Sequence, residues 1–316
     1  MALTLTQAQA LSQSKLTNYV IDEFKKSALL DMLTFDNCVK PQGGSTMAYV
    51  YNRVSTLPTA ATRAINSEYV AQETVTTPHT VNLKVFGGSF NLDRVIINDE
   101  KQVVDHVQFQ LQQKIQATTA LFHNMLINGD SGALATEFDG IDKAITGSTT
   151  ELAPAAAIDL STSANIDTNW KAFLDTIRKL RALLDGAPTL YLMNSDMFAV
   201  FQSVMDRAGI NLASKANYGD EVLQWGSSMI MALGDKPGTA NPIIETSVGG
   251  ETSIYPVRLA LDGVHGVSPD GSSLVNQYLP NMTLPGAVKT GEVEMVAAMA
   301  IKATKSAGAL RKIKIA

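Results

Sequence analysis

A chain of 316 residues, 45% hydrophobic and 17% charged, has the apolar material for two domains or one elaborate one, which excludes a disordered or fibrous protein. A net charge of −5 excludes a dedicated nucleic-acid-binding domain, which would be basic overall, while leaving room for local basic patches. The single cysteine, Cys38, cannot form an internal disulfide, so the chain suits a reducing cytoplasm.

Residues 1–45 are a polar start with one amphipathic piece, Leu16, Val20 and Phe24 followed by Leu29, Leu30 and Leu33, closing at Pro41-Gln42-Gly43-Gly44. Such a piece seldom folds alone and reads as an arm lying along other surfaces. Residues 1–16 lack the basic and apolar regions of a signal peptide, and no run of about 18 apolar residues is present to span a membrane. The phrase Thr46-Met47-Ala48-Tyr49-Val50-Tyr51 is rich in β-branched and aromatic residues, and Val81-Asn82-Leu83-Lys84-Val85 alternates apolar with polar. Both read as strands of one ribbon. Residues 57–74 between them contain no core-forming run. A two-stranded ribbon is marginal alone in water and its edges invite pairing, so this arm predicts support from another subunit.

Val104, Val107, Leu111, Ile115, Thr118, Phe122 and Met125 recur at spacings of three and four, which predicts one helix over residues 98–128. Asn98 is its expected N-cap, Asp99 and Glu100 place negative charge at the positive end of the helix dipole, and Asn128-Gly129 ends it. At 1.5 Å per residue the helix spans roughly 40 Å, so something must pack along it. Glu137-Phe138-Asp139-Gly140-Ile141 follows where the chain turns back, and residues 146–163 read as a surface loop. A second helix is expected from an Asp167 cap to Asp185-Gly186, with Trp170, Phe173, Leu174, Ile177, Leu180 and Leu184 on its apolar face. Its outer face carries Lys171, Arg178 and Lys179 with Asp175 between them, either a solvated face or a surface for a polyanion. Residues 188–193 are a buried type of strand, and a helix from Ser195 carries Met197, Phe201 and Val204, an α/β-like pairing. Residues 209–234 are loop-rich around Tyr218-Gly219-Asp220, with a strand at 228–233. The remainder is mostly β: 253–259, the turn Asp262-Gly263, and final strands at 292–302 and 310–315. The class is α+β.

Three patterns imitate catalytic sites. Gly129-Asp130-Ser131-Gly132 spells a trypsin-like nucleophile phrase, but it follows a long helix instead of sitting in a β-barrel and reads as a turn. Ser12-Gln13-Ser14-Lys15, Ser195-Asp196-Met197 and Lys289-Thr290-Gly291 fall in the order used by penicillin-binding enzymes, with the middle element incomplete. A serine acyl-transfer enzyme using Ser12 and Lys15 is therefore the alternative from another class. His79, His106, His123 and His265 lack the spacing of a metal site, with His106 and His123 expected on the polar side or margin of the long helix. No glycine-rich phosphate loop occurs. The expectation is a structural protein, not an enzyme, with no cofactor and no metal.

In this order of elements the chain resembles the major capsid proteins of tailed bacteriophages, whose Hong Kong 97-type fold is shared with encapsulin nanocompartments. Gly87-Gly88-Ser89-Phe90-Asn91-Leu92-Asp93-Arg94 leading into residues 98–128 is similar to the family's approach to its spine helix, and Phe138-Asp139-Gly140-Ile141 to the phrase after it. The resemblance covers nearly the whole chain. It implies an N-terminal arm (1–45), an extended β-loop over a neighbouring subunit (46–90), a peripheral domain with the spine helix (91–188), an axial domain (189–262) and a return to peripheral strands (263–316). Leu57, Pro58, Arg63, Ile65 and Tyr69 would form the inter-subunit β-loop tip, and Lys171, Arg178 and Lys179 would face packaged double-stranded DNA. Implied partners are many copies of the chain as pentamers and hexamers, a portal, a decoration protein and a scaffolding protein, the last a separate one because the sequence starts at the arm. The implied location is the virion, after assembly in the host bacterial cytoplasm, without a membrane. Some members join subunits covalently through a β-loop lysine; no lysine lies between Pro41 and Leu83, so noncovalent contacts are expected here. An encapsulin-like shell is the runner-up.

Overall fold

The computed structural model describes residues 28–38, 47–56, 58–94, 103–210, 212–217, 220–269 and 275–316. In chain order, α1 (Ala28–Met32) and β1 (Phe35–Asn37) precede the ribbon strands β2 (Ala48–Thr56) and β3 (Val75–Asn82), after which come β4 (Lys84–Asp93), α2 (Val103–Asn128) and α3 (Ile141–Ile145). Next are β5 (Glu151–Leu152), β6 (Ile158–Asp159), α4 (Ser163–Leu183), β7 (Leu190–Met193), α5 (Ser195–Arg207), β8 (Ala213–Asn217), β9 (Asp220–Trp225) and β10 (Ser228–Ala232). The last are β11 (Glu251–Val257), β12 (Val264–Ser268), β13 (Val275–Tyr278), β14 (Val288–Ile301) and β15 (Ala309–Lys314).

Strand β14 is the hub of a five-stranded sheet. It runs antiparallel to β4 from Val288 opposite Asp93 to Ala297 opposite Lys84, and its other edge pairs first with β13 and then with β12. Strand β1 joins β12 in parallel, Phe35 opposite Gly266, where a Cβ would collide with the Phe35 ring. Helix α2 lies on β4 and β14, because its periodic side chains Val107, Leu111, Ile115, Phe122 and Met125 are buried in one core with Phe86, Phe90, Val293 and Met295. The helix stops at a close approach: Gly140 N donates to Gly129 O at 2.8 Å, and a Cβ on Gly140 would lie 2.6 Å from Ile127 O. The phrase around Phe138 thus fits there only with glycine. The expected caps Asn98, Asp99 and Glu100 lie outside the described residues, as do Leu16, Val20 and Phe24.

The eight-stranded sheet has the order β5-β15-β11-β7-β10-β9-β8, with β6 also on β15. The period of two decides how it is covered. Tyr191, Met193, Ile230 and Ile254 face the side taken by α4 and α5, whereas Leu190, Leu192, Met231 and Val257 face the core that holds the spine helix. Arg311 of β15 ties the sheet to its surroundings, 2.5 Å from Asp142 of α3 and 3.0 Å from Glu151 of β5.

Five expectations change. Helix 163–183 belongs with α5 on the eight-stranded sheet, not with the spine: Phe173, Leu174, Ile177 and Leu180 pack with Leu310 and Ile313, while the other sheet's inner face is already occupied by α2. Its N-cap is Thr162, whose hydroxyl accepts from Asn165 N at 3.2 Å, and Asp167 instead pairs with Arg207 of α5. The two final strands separate. Strand β14 stays in the five-stranded sheet, but after the short turn Thr304–Ser306 strand β15 pairs with β11. The ribbon ends at Asn82, since residues 84–93 form a sheet strand rather than part of the β-loop. The stretches 146–163 and 209–227 carry strands β5 and β6, and β8 and β9, where loops were expected, whereas β10 falls on the strand expected at 228–233.

Candidate assembly surfaces

Alternation along β2 turns Tyr49, Tyr51 and Arg53 to the body of the molecule and leaves Val50, Asn52 and Val54 exposed. The inward set forms a polar clamp. Tyr49 donates its hydroxyl to Asp36 Oδ2 at 2.6 Å, and Tyr51 donates to Ile301 O at 2.8 Å. Arg53 Nε donates to Lys302 O at 3.0 Å, while Arg53 Nη2 reaches the Ile301 carbonyl. Lys302 Nζ sits 3.7 Å from Asp36 and 5.2 Å over the Tyr49 ring. His265, fully buried, meets Tyr49 edge-on at 5.7 Å, and His79 stacks on Tyr51 at 5.8 Å. Burial, with the Asp36 carboxylate as hydrogen-bond acceptor, raises the Tyr49 phenol well above its ordinary range. Burial works to raise Asp36 too, but donation from Tyr49 and from Asn37 N, with the nearby Lys302 charge, leaves it below the usual carboxylate value. Burial pushes the Cys38 thiol up to about 11, so it is an unreactive core residue.

Beyond this clamp the connection at 58–74 is exposed throughout. It is not shapeless. Thr59 N donates to Gln72 Oε1 at 3.2 Å across the two legs, and Ser67 N donates to Ala64 O at 3.2 Å with Asn66 in the left-handed region at φ 68°. Arg63 Nη1 donates to Ser67 O at 3.2 Å, and its guanidinium lies 5.4 Å over the Tyr69 ring. Ile65 is 91% exposed and Val70 87%, side chains that a subunit alone leaves in water. Of the residues expected at the tip, Pro58, Arg63, Ile65 and Tyr69 are together on this loop, and Leu57 lies outside the described residues.

The second expected surface is the outer face of α4, where Lys171, Arg178 and Lys179 are exposed. Arg178 pairs with Asp175 at 2.9 Å and Lys171 lies 5.4 Å over the Trp170 ring. Arg181, also exposed, extends the positive face and follows Arg178 at helical spacing, a signal legible in the sequence. The clamp around Tyr49 was not foreseen. Its only signal was three large polar side chains alternating along one predicted strand.

Parts of the catalytic imitations that lie among the described residues make structural contacts. Lys289 donates to the Leu284 carbonyl, Thr290 Oγ1 donates to Asn91 Oδ1 at 2.8 Å, and Gly291 sits where a Cβ would strike the Phe90 ring. Ser12 and Lys15 lie outside the described residues. Ser131 N donates to Asp139 Oδ1 at 2.9 Å in a turn held by Lys143, whose ammonium contacts Asp130 and Asp139. Among the described residues no group of His, Cys, Asp or Glu is placed to hold a metal ion, and no helix is long and apolar enough to cross a membrane.

No protein-family model matches the sequence, and no curated protein matches it. Solved structures do. The SrpI encapsulin of Synechococcus elongatus PCC 7942 superposes with a TM-score of 0.60 at 14% identity, over 90% of this chain and 87% of that one. The capsid of a native GTA particle gives 0.56 at 11% identity, over 91% and 90%, and the capsid of Myoviridae phage XM1 gives 0.56 at 9% identity, over 91% and 92%. Near-complete coverage in both directions, across two sheets and a spine helix, gives this chain the Hong Kong 97-type fold of phage capsids and encapsulins.

Proposed function

We propose that the chain is a structural shell subunit, a major capsid protein, which self-assembles through pentamers and hexamers into an icosahedral phage head around double-stranded DNA. The observation that carries this reading is the ribbon: clamped at its root by Tyr49, Tyr51 and Arg53, shaped at its tip by Arg63, and presenting Ile65 and Val70 to water. Fixing such an arm costs about 1–2 kcal/mol of backbone entropy per residue. Contacts with a neighbour offset that cost, and closed symmetry multiplies each contact. A scaffolding protein, a portal and a decoration protein are the proposed helpers, the virion is the proposed location, and assembly takes place in the host bacterial cytoplasm. The chain carries out no catalysis in this reading, so a penicillin-type acylating probe is expected to leave it unmodified.

Negative-stain microscopy beside size-exclusion chromatography with light scattering tests the proposal. Closed shells or rings of five and six are expected, and a monomer that persists with its scaffolding partner present overturns it. An encapsulin-type compartment would differ in what it encloses, so the contents of purified particles separate the two.

Two variants probe the division of labour. Replacing Lys171, Arg178 and Lys179 together by alanine is expected to leave assembly intact while weakening salt-sensitive retention of DNA, since so few cations give only nonspecific phosphate contact. Particle yield and DNA content by absorbance ratio measure this, and loss of shells would sink the idea. Trimming residues 57–67 is expected to leave a subunit that folds, with an unfolding free energy within about 0.5 kcal/mol of the parent, because residues 58–67 are exposed throughout. Shell yield should fall sharply. A trimmed chain that cannot fold would show that the ribbon is part of the subunit's own core.

A further inference from the structure

His265 of β12 is 0% exposed, and among the described residues neither of its ring nitrogens has a hydrogen-bond partner. A neutral imidazole carries one donor and one acceptor, and both are unfavourable to bury unpaired. The ring lies under the ribbon: its neighbour across the ladder, Ala300 of β14, offers it no polar side chain, and the Tyr49 ring meets it edge-on at 5.7 Å. That cover is loosely attached. Among the described residues β2 and β3 form a sheet of their own with no ladder to the five-stranded one, so the side chains of Tyr49, Tyr51 and Arg53 hold the ribbon root over His265. Freeing the ring by opening the sheet would instead separate β12 from β14 and from β1, and so break backbone ladders on both sides.

The charges around the ring oppose one another. Lys302 after β14 disfavours a positive imidazole, whereas the Gly263 backbone, Asp36 of β1 and Asp262 of the turn before β12 favour it, none of them in hydrogen-bond geometry with the ring. Asp36 is already engaged, by the Tyr49 hydroxyl at 2.6 Å and by Lys302 at 3.7 Å. Burial outweighs the favourable charges, so the covered ring takes up its proton below the ordinary value of 6.5. Once the root lifts, water reaches both nitrogens, and Asp36, released by Tyr49, is a nearby anion for the imidazolium. Asp36, and Asp262 with its Arg258 partner, are held below the usual carboxylate value and stay charged at pH 5, while burial keeps Tyr49, Tyr51 and Cys38 protonated. The second histidine of the root is His79, half-buried and stacked on Tyr51.

We propose that His265 is an acid-operated release for the ribbon: its protonation lifts residues 48–53 off the five-stranded sheet while the body of the subunit stays folded. An uncovered ring protonates near 6.5 and a covered one lower, so the closed ribbon is favoured above 6.5. Between the two values the opening constant grows by up to about tenfold for each pH unit. The release belongs to the single subunit and does not depend on the shell reading.

Amide exchange of the full-length protein at pH 7 and pH 5, with labelling times scaled to the intrinsic rate, tests the release. Residues 48–56 should open about fivefold more often or better at pH 5, while residues 107–127 of the spine helix remain protected. His265→Phe should abolish the rise and His79→Phe should keep it. If the phenylalanine variant of residue 265 does not fold, His265→Gln, which is polar but does not titrate, is read in its place with the same expectation. Ribbon protection that ignores pH, or a rise that survives substitution of His265, overturns the proposal. A spine helix that loses protection together with the ribbon overturns it too, because the opening is then global.

Discussion

Phe122→Ala is expected to destabilise the subunit by about 3–5 kcal/mol, the range for removing a fully buried aromatic ring. Phe122 is 0% exposed and meets Phe35 of β1 at 6.2 Å, Phe86 of β4 at 6.1 Å and Phe138 after the spine helix at 6.0 Å. One ring on α2 therefore joins the strand within the arm, the strand after the ribbon and the turn that ends the spine. Its removal leaves a void that none of the three can fill without leaving its own strand or turn, and the loss combines transfer energy with the remaining cavity. Phe109→Ala on the same helix is the control: that ring is 54% exposed, and its loss should change the unfolding free energy by no more than about 0.5 kcal/mol. Urea unfolding of both variants measures the difference. A Phe122→Ala protein within 1 kcal/mol of the parent would mean that the elements are held together elsewhere.

The same aromatic cluster indicates what a reader of the sequence can and cannot see. The spine helix was legible because Val107, Leu111, Ile115, Phe122 and Met125 keep one face, a local property that survives in any fold with an inner side. The ribbon was legible from equally local signals, the β-branched and aromatic residues of 46–51 and the alternation of Val81-Asn82-Leu83-Lys84-Val85. What the residues around Phe173 and Leu310 do not reveal is which sheet they join: an apolar helix face or strand fits either one. The choice is settled by a reversal at Thr304–Ser306 and by the spine helix already covering the other sheet. The cap was missed because Thr162 and Asp167 both carry a suitable oxygen, and what removes Asp167 is Arg207, 40 residues away. The clamp is nonlocal in the same way. Tyr51 and Arg53 look like ordinary strand residues until the carbonyls of Ile301 and Lys302, roughly 250 positions on, come under them. Element order thus carried the fold, whereas the surfaces proposed for assembly depend on pairings that only three dimensions supply.

Acidification from pH 7 to pH 4 is expected to weaken the subunit by on the order of 2–3 kcal/mol, with histidines responsible for that interval. Burial disfavours the charged imidazole of His123 and lowers its pKa from 6.5 to about 4. Burial likewise lowers His265, helped by the Lys302 charge and opposed by the Gly263 backbone, Asp36 and Asp262. The sign follows from where each state takes up its proton. The unfolded chain protonates these rings near pH 6.5 while the folded chain holds them neutral, so the stability they contribute is complete above 6.5 and drains away toward the folded value, at about 1.4 kcal/mol for each pH unit of difference. The carboxylates held low, Asp36, Asp130, Asp139, Asp159 and Asp262, act elsewhere, since their stabilisation is lost only as pH falls below their ordinary value of 3.8. Urea midpoints at pH 7, 5.5 and 4.5 trace the slope, and His123→Phe should remove most of it. If the variant keeps the full slope, the titrating group is not on the spine helix. His265 then becomes the group to replace, and because its ring lies against Tyr49 at the ribbon root, its protonation would register as faster amide exchange along residues 48–56 before the body of the subunit unfolds.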